Sequence, residues 1–257
     1  MARIVFLGTS AALPTGRRTN TQLAVLPDGG ESGILVDCGG DCFGALDRAA
    51  IGPDVISDLF ITHAHIDHIG SLPSLIESLR LSGRTQPLHI WALPEVMAIA
   101  RELLTLFSFE LKLDEWPFTL SFHDVQGGQR VVLAGIPVRI EVMAHTVPSA
   151  GVRFELPGGD VAYTSDTQPD AGVSRLATGA RVLITESSML EAEGDLARLT
   201  RHMTAARAGE QAKVCGVREL YLVHIGKAWP PEAAVAEAAR AFDGTIIVPD
   251  DGETITI

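Results

Sequence analysis

Thr62-His63-Ala64-His65-Ile66-Asp67-His68-Ile69-Gly70 gathers three imidazoles and a carboxylate within six residues. The segment follows an apolar run, Leu59-Phe60-Ile61, and precedes a helical pattern that starts at Ser71, so it occupies a strand-to-helix junction. His63 and His65, two apart in extended chain, point the same way. Asp67 and His68 fall where the chain turns into the helix and face a second point beside the first. Imidazole and carboxylate together suit borderline divalent ions such as Zn²⁺, and also Mn²⁺ or Fe²⁺. A polar loop with chance histidines is the ordinary alternative. Yet four ligand-type residues in a chain with 8 histidines rarely converge in this way. The segment reads as a metal loop.

Outward from that loop, short apolar runs alternate with helical patterns. The expected strands are 3–8, 21–26, 33–37, 56–62, 87–91, 119–123, 136–143, 151–156, 160–164, 181–185, 219–224, 244–248 and 253–257. The expected helices are 41–50, 70–81, 94–107, 169–177, 202–215 and 230–242, with Asp41 as a cap, Pro94 at a first helical position and Pro230-Pro231 opening the last. Pro27-Asp28-Gly29-Gly30, Gly127-Gly128 and Pro157-Gly158-Gly159-Asp160 carry hairpin signals. Strands come early in meander order, helices intervene, and the pattern repeats in the second half. That mixture suits two sheets packed face to face with helices outside, a four-layer α/β/β/α sandwich, which periodicity alone leaves as one of several options in the α/β class. No repeat or linker divides the chain, so residues 1–257 are expected to form one domain.

Bulk properties narrow the function. A hydrophobic share of 46% against 20% charged supports a packed core rather than disorder. No apolar run approaches the roughly 18 residues that span a bilayer. The apolar stretch Ile4–Gly8 is too short for a secretory segment, and the expected location is the cytoplasm. Cys38, Cys42 and Cys215 are an odd number, which points to buried free thiols rather than a disulfide framework. The net charge of −12 argues against a large nucleic-acid footprint, because phosphate contacts demand a basic surface.

Four residues do not close two metal sites, so further ligands are expected at other strand ends. His145 follows the run Val138–Met143, Asp166 follows Val161-Ala162-Tyr163, and His224 follows Leu220-Tyr221-Leu222-Val223. Each sits where α/β folds commonly place functional groups, at the C-terminal end of an apolar run. His89 and His123 lie inside strand patterns and read as structural.

With these residues in place the chain resembles the metallo-β-lactamase superfamily over nearly its whole length. The resemblance implies that His63, His65 and His145 hold one divalent ion, that Asp67, His68 and His224 hold a second, and that Asp166 bridges them. It also matches Asp37, in Leu35-Val36-Asp37-Cys38-Gly39, to an acidic turn bracing the metal loop; locally the same residue reads as a plain strand-ending Asp before glycine. Two cations, with Zn²⁺ the first choice, would lower the pKa of a shared water toward about 7. A bridging hydroxide is then the expected nucleophile, with Asp67 as a ligand or as the base beside it.

A finer likeness concerns the branch. No export signal appears and no cysteine stands at a ligand position, which fits secreted β-lactamases poorly. Glu186, in Leu183-Ile184-Thr185-Glu186-Ser187-Ser188, and His202, in His202-Met203-Thr204-Ala205, resemble the ribonuclease Z branch, where such a pair assists the leaving oxygen. The opening Phe6-Leu7-Gly8-Thr9-Ser10-Ala11-Ala12-Leu13-Pro14 is similar to that branch too. Taken singly, Glu186 is a strand-end acid and His202 a helix-start histidine; together they match the pair. The chain departs from the branch between His68 and His145, where no long Gly/Pro- and Lys-rich insertion occurs. It departs again after His224, where Ile225-Gly226-Lys227-Ala228-Trp229 lacks the usual Ser and Arg-Tyr.

Both departures favour a small phosphoester substrate, cyclic or nucleotide-like, over RNA. Lys227 would then meet a phosphate or remain a solvated lysine. Hydrolysis of a carboxylic ester, lactone or thioester is the competing reading among enzymes. A non-hydrolytic metal-binding or redox protein is the competitor outside them. The resemblance also implies a homodimer, and no membrane partner is expected. Phe107, Phe109, Trp116, Phe118 and Phe122 are expected to pack the core, the alternatives being a roof over the pocket or a dimer face.

Overall fold

The computed structural model describes residues 1–29, 32–109 and 116–257. β1 (Ala2–Gly8), β2 (Gln22–Pro27), β3 (Gly33–Val36), β4 (Ile56–Phe60), β5 (Leu88–Ala92), β6 (Leu120–Asp124) and the closing β14 (Thr254–Thr256) form one sheet, in the order β14-β1-β2-β3-β4-β5-β6. β7 (Arg130–Leu133), β8 (Ile136–Met143), β9 (Ser149–Phe154), β10 (Val161–Tyr163), β11 (Val182–Glu186), β12 (Glu219–Val223) and β13 (Thr245–Ile247) form the other, in the order β13-β12-β11-β10-β9-β8-β7. The two halves are built alike. Pairing is antiparallel from β14 to β3 and from β7 to β10, then parallel from β3 to β6 and from β10 to β13.

Strand alternation sorts the apolar residues into layers. In β11, Val182 and Ile184 join the inter-sheet core with Ile4, Phe6 and Val36, while Leu183 joins the outer core with Leu220, Leu222 and Ala212. Phe6 stacks on Tyr221 at 5.5 Å and ties one sheet to the other. α1 (Cys42–Arg48), α3 (Leu72–Leu81) and α4 (Pro94–Leu106) cover the first sheet; α5 (Ala171–Ala177), α7 (Ala205–Cys215) and α8 (Pro231–Ala238) cover the second. The result is the expected α/β/β/α sandwich. Among the described residues no helix is long and apolar enough to cross a membrane.

Local signals set several boundaries. Asp41 caps α1 by accepting the Gly44 N–H at 3.2 Å, and Pro94 and Pro231 open α4 and α8. Thr204 caps α7, which therefore starts at Ala205 rather than at 202. Pro157–Asp160 closes the β9–β10 hairpin as expected. The Pro27–Gly30 signal joins β2 to antiparallel β3, with Gly30 itself outside the described residues. Gly127-Gly128 closes no hairpin; it carries the chain from β6 in one sheet to β7 in the other.

Besides the single helical turn at Ile66–Ile69, a further strand and a further helix lie outside the sequence expectations. β7 pairs with β8 through a turn at Ala134 (φ 46°) and Gly135 (φ 76°), the left-handed pair that suits the twist of a two-residue hairpin. α6 (Gly194–Thr200) follows a 3₁₀ turn at Glu191–Glu193 and leaves Leu196 and Leu199 exposed, so no buried apolar stripe announces it. Cys38, Cys42 and Cys215 are free and buried. Phe118 is buried, and Phe109, Trp116 and Phe122 pack on the core, but Phe107 is exposed.

Candidate metal centre

One end of the sandwich collects the chemistry. Asp37 follows β3; His63 and His65 follow β4, with His65 immediately before the short helix α2 (Ile66–Ile69) that carries Asp67 and His68. His145 follows β8, Asp166 follows β10, Glu186 ends β11 and His224 follows β12. Backbone cross-links hold the sheets together here: Ala150 N–H donates to the Thr62 carbonyl at 3.1 Å, Ile225 N–H to the Thr9 carbonyl at 3.0 Å and Ala11 N–H to the Ile225 carbonyl at 3.1 Å. Asp37, Ser165 and His224 adopt left-handed backbone (φ 64°, 58° and 54°). Such conformations cost non-glycine residues about 1–3 kcal/mol and persist where surrounding bonds fix them.

Those bonds are present. The buried Asp37 carboxylate accepts the Thr62 N–H at 2.8 Å, the Thr62 hydroxyl at 2.9 Å and the His68 Nδ1–H at 2.8 Å. His145 Nδ1–H donates to the Arg201 carbonyl at 3.0 Å, and His224 Nδ1–H to Ser188 Oγ at 2.7 Å. His63 Nδ1 faces Thr62 Oγ1 at 3.1 Å and Ser165 Oγ at 3.3 Å. Four rings are thus tied outward through Nδ1, which leaves each Nε2 lone pair facing inward.

The inward atoms form two clusters with one carboxylate between them. His63 Nε2 and His145 Nε2 each lie 3.2 Å from His65 Nδ1, and Asp166 Oδ2 lies 3.7 Å from His63 Nε2. On the other side, His224 Nε2 stands 3.2 Å from Asp67 Oδ2 and 3.3 Å from Asp166 Oδ2. His68 Nε2 and Asp166 Oδ1, 3.5 Å apart, are both buried without a hydrogen-bond partner. Each set, His63/His65/His145/Asp166 and Asp67/His68/Asp166/His224, places one ligand atom per residue within 4.8 Å of the others. Converging nitrogen lone pairs and orphaned buried atoms are costly unless a cation satisfies them. The donor set fits divalent ions bound through nitrogen and oxygen.

Electrostatics favour the ligand forms of His63, His65, His145, Asp166 and Asp67. Burial, then repulsion from neighbouring imidazoles, holds His63 well below its ordinary pKa and lowers His65; burial also lowers His145, so all three favour the neutral ring. Burial pushes Asp166 up, but His224, His68 and His63 outweigh it and hold the carboxyl well below its usual range. Burial pushes Asp67 up as well, but the neighbouring His224 and His68 outweigh it and lower the carboxyl. His68 is raised despite burial, because Asp166 and Asp37 flank it.

Beside the clusters stands a separate pair. His202 Nδ1–H points at the Glu186 carboxylate, 3.0 and 2.9 Å from its two oxygens, and the ring stacks against His224 at 5.6 Å. Glu186 also accepts the Thr167 N–H and the Ser188 hydroxyl, each at 2.6 Å. Burial works against the imidazolium, yet Glu186 prevails and lifts His202 to about 9. That value favours the protonated ring at neutral pH.

Residues 33–225 match the family described as the beta-lactamase superfamily domain. Two relatives called ribonuclease Z align along the whole chain. The one from Methanothermobacter thermautotrophicus is 29% identical, over 100% of this chain and 97% of its own length; that from Natronomonas pharaonis is 30% identical, over 99% and 97%. The chain belongs to the beta-lactamase superfamily, in its ribonuclease Z family. The alignment to the first relative spans 312 positions against 257 residues here, so that relative carries segments with no counterpart in this chain. A solved metallo-beta-lactamase fold protein, YhfI from Bacillus subtilis, superposes with a TM-score of 0.86 at 18% identity, covering 100% of both chains.

Within this superfamily member, the seven ligand-type residues expected from sequence lie together, and His202 and Glu186 lie next to them. Lys227 is exposed in the loop after His224. His89 and His123 contact each other at 3.1 Å on β5 and β6, apart from the cluster. Sequence reasoning missed the hydroxyls. Ser188, two residues after Glu186 and hence on its side of the chain, joins that carboxylate to His224. Thr62 and Ser165, each one residue before a ligand-type side chain, bond to each other at 2.8 Å and steady His63. The period-2 relation of Ser188 to Glu186 was the available signal.

Proposed function

We propose that this chain hydrolyses a small, nucleotide-like phosphodiester with two divalent cations, Zn²⁺ in first place, held by His63, His65 and His145 on one side, by Asp67, His68 and His224 on the other, and by Asp166 between. As a member of the ribonuclease Z family it is a metal-dependent phosphodiesterase. The finer reading rests on the paired groups beside the cluster. The cations, when bound, would supply Lewis acidity that polarises the phosphoryl oxygen and acidifies the attacking water. Asp67 orients that water and takes its proton. His202, kept protonated by Glu186, faces the leaving oxygen and donates a proton to it as the P–O bond breaks. Ser188 and the Thr167 N–H hold Glu186 in place for this task.

The observation that carries the reading is the 2.9 Å contact between His202 Nδ1 and Glu186 beside the inward-facing imidazoles. An alkoxide leaving from phosphorus needs an acid, and a buried carboxylate–imidazolium pair is one. The name ribonuclease Z attaches RNA to the relatives. Here the net charge of −12 and the shorter chain favour a small ester over an RNA strand. Turnover of bis(p-nitrophenyl) phosphate by the metal-loaded protein, compared with a thioester and a lactone, tests this. The phosphodiester should turn over fastest and lose its rate when chelators remove the metal. Faster acyl hydrolysis, or full activity in a metal-free preparation, refutes it.

A further inference from the structure

Between α6, α7 and the turn after Asp166 lies a cleft of about 740 Å³. His202 forms part of its wall, and none of the seven ligand-type residues lines it, so it meets the reaction zone at the acid alone. Polar groups dominate the other walls, and among the described residues no phenylalanine, tyrosine or tryptophan contributes. Arg207, one of the lining side chains, is engaged by Glu210 at 2.8 Å and by Glu191 at 3.6 Å, while Arg198 pairs with Asp195. Both guanidinium groups are therefore matched by carboxylates that share the cleft. Gln168 and Gln211 add carboxamides, and Gln211 Oε1 is buried with no hydrogen-bond partner among the described residues.

In an in-line displacement at phosphorus the nucleophile and the leaving oxygen lie on opposite sides. Were the attacking water to come from the side of Asp67 and the other ligand-type residues, the leaving oxygen would face His202, and the group attached to it would continue past that ring. The cleft, walled in part by His202, is the open space next to that ring. We propose that it is the subsite for the leaving alcohol and that it selects an uncharged, nucleoside-like alcohol. This rests on the phosphodiesterase reading above. The water oxygen bonds to phosphorus and its proton passes to Asp67; the P–O bond to the alcohol breaks and that oxygen takes the His202 proton. Carboxamides offer donors and acceptors matching sugar hydroxyls and base edges. A leaving strand of RNA would instead bring further phosphates against Glu191, Asp195 and Glu210, with no unmatched arginine to receive them. The volume falls in the range of about 300–1,000 Å³ typical of small-ligand pockets.

The test compares two five-membered cyclic phosphodiesters on the metal-loaded protein. Uridine 2′,3′-cyclic phosphate has a nucleoside as its leaving alcohol, while ethylene phosphate has the same ring and nothing to fill the cleft. The ratio of their kcat/KM values should favour the uridine ester. It should fall by about tenfold in Ala192→Trp, which plugs the cleft from an exposed position, and severalfold in Gln211→Leu. An unchanged ratio in both variants, or faster cleavage of a short oligoribonucleotide than of the uridine ester, overturns the subsite. Calorimetric binding of uridine provides an arm independent of turnover: binding to the wild type and its loss in Ala192→Trp support the subsite, and no binding to the wild type overturns it. Wild-type protein that hydrolyses neither ester yet binds uridine defeats the phosphodiesterase reading and leaves the cleft standing as a nucleoside site.

Discussion

His202 owes its charge at neutral pH to Glu186, because burial alone would drive the proton off. Replacing His202 with Ala should lower turnover of an alkyl phosphodiester by about 10²–10⁴-fold while leaving metal content intact, as read by kinetics and elemental analysis. The sign of the pH effect follows from the role. A general acid must be protonated, so the rate falls as pH rises through the value near 9, and this limb disappears in His202→Ala. Glu186→Gln should move the limb to lower pH. The same ring contributes stability fully below its unfolded value of about 6.5 and loses it as pH climbs through about 9. Asp37 offers a second test. Asp37→Asn keeps a residue that tolerates φ 64° but cannot accept all three bonds, so its effect reports the carboxylate rather than the backbone. Expected are a loss of about 1–3 kcal/mol in denaturant melts and cation affinity lower by about 10–100-fold. Ligand-type residues were legible because His63, His65, Asp67 and His68 crowd one strand-to-helix junction, and the resemblance this carries pointed to His145, Asp166 and His224 at other strand ends. The hydroxyls of Thr62, Ser165 and Ser188 were not, since serine and threonine are common and only the folded geometry gives them partners.

At the scale of elements, the metal loop is held by close backbone contact as much as by bonds. A Cβ on Gly39 would lie 1.6 Å from the Asp67 carbonyl oxygen and 2.6 Å from the His68 nitrogen. Gly39→Ala must therefore push α2 outward, and with it Asp67 and His68. Circular dichroism should still show the fold, while titration should show weakened binding of the cation those two residues hold. Wild-type affinity in Gly39→Ala would mean that the loop is not positioned by this contact. Strands with clean apolar runs, such as Leu220–Val223, could be read directly from sequence, and proline and aspartate fixed helix starts at 42, 94 and 231. β7 escaped because Val132 faces solvent and its run is four residues long. α6 escaped because Leu196 and Leu199 point outward and give it no buried stripe.

Across the whole molecule, the clusters join loops from both sheets, so cations should act as a clamp on the sandwich as well as a reagent. Chelation should lower the melting temperature by several degrees and abolish phosphodiester turnover, and Zn²⁺ should restore both, by mass action on the folded state. The order of strands and helices repeats in the two halves of the chain and left the layered architecture as one of several α/β options; the resemblance carried by the metal loop selected it. The cleft beside His202 was not, because its walls come from α6, α7 and the turn at Gln168, which no sequence spacing connects. The central claim is that the seven side chains His63, His65, Asp67, His68, His145, Asp166 and His224 bind a pair of cations. Its most direct test is elemental analysis after equilibrium dialysis against Zn²⁺, on wild type and on Asp166→Ala. Two ions per chain in the wild type, and one or none in the variant, is the predicted result; no tightly held ion in the wild type, or two retained without Asp166, would contradict it.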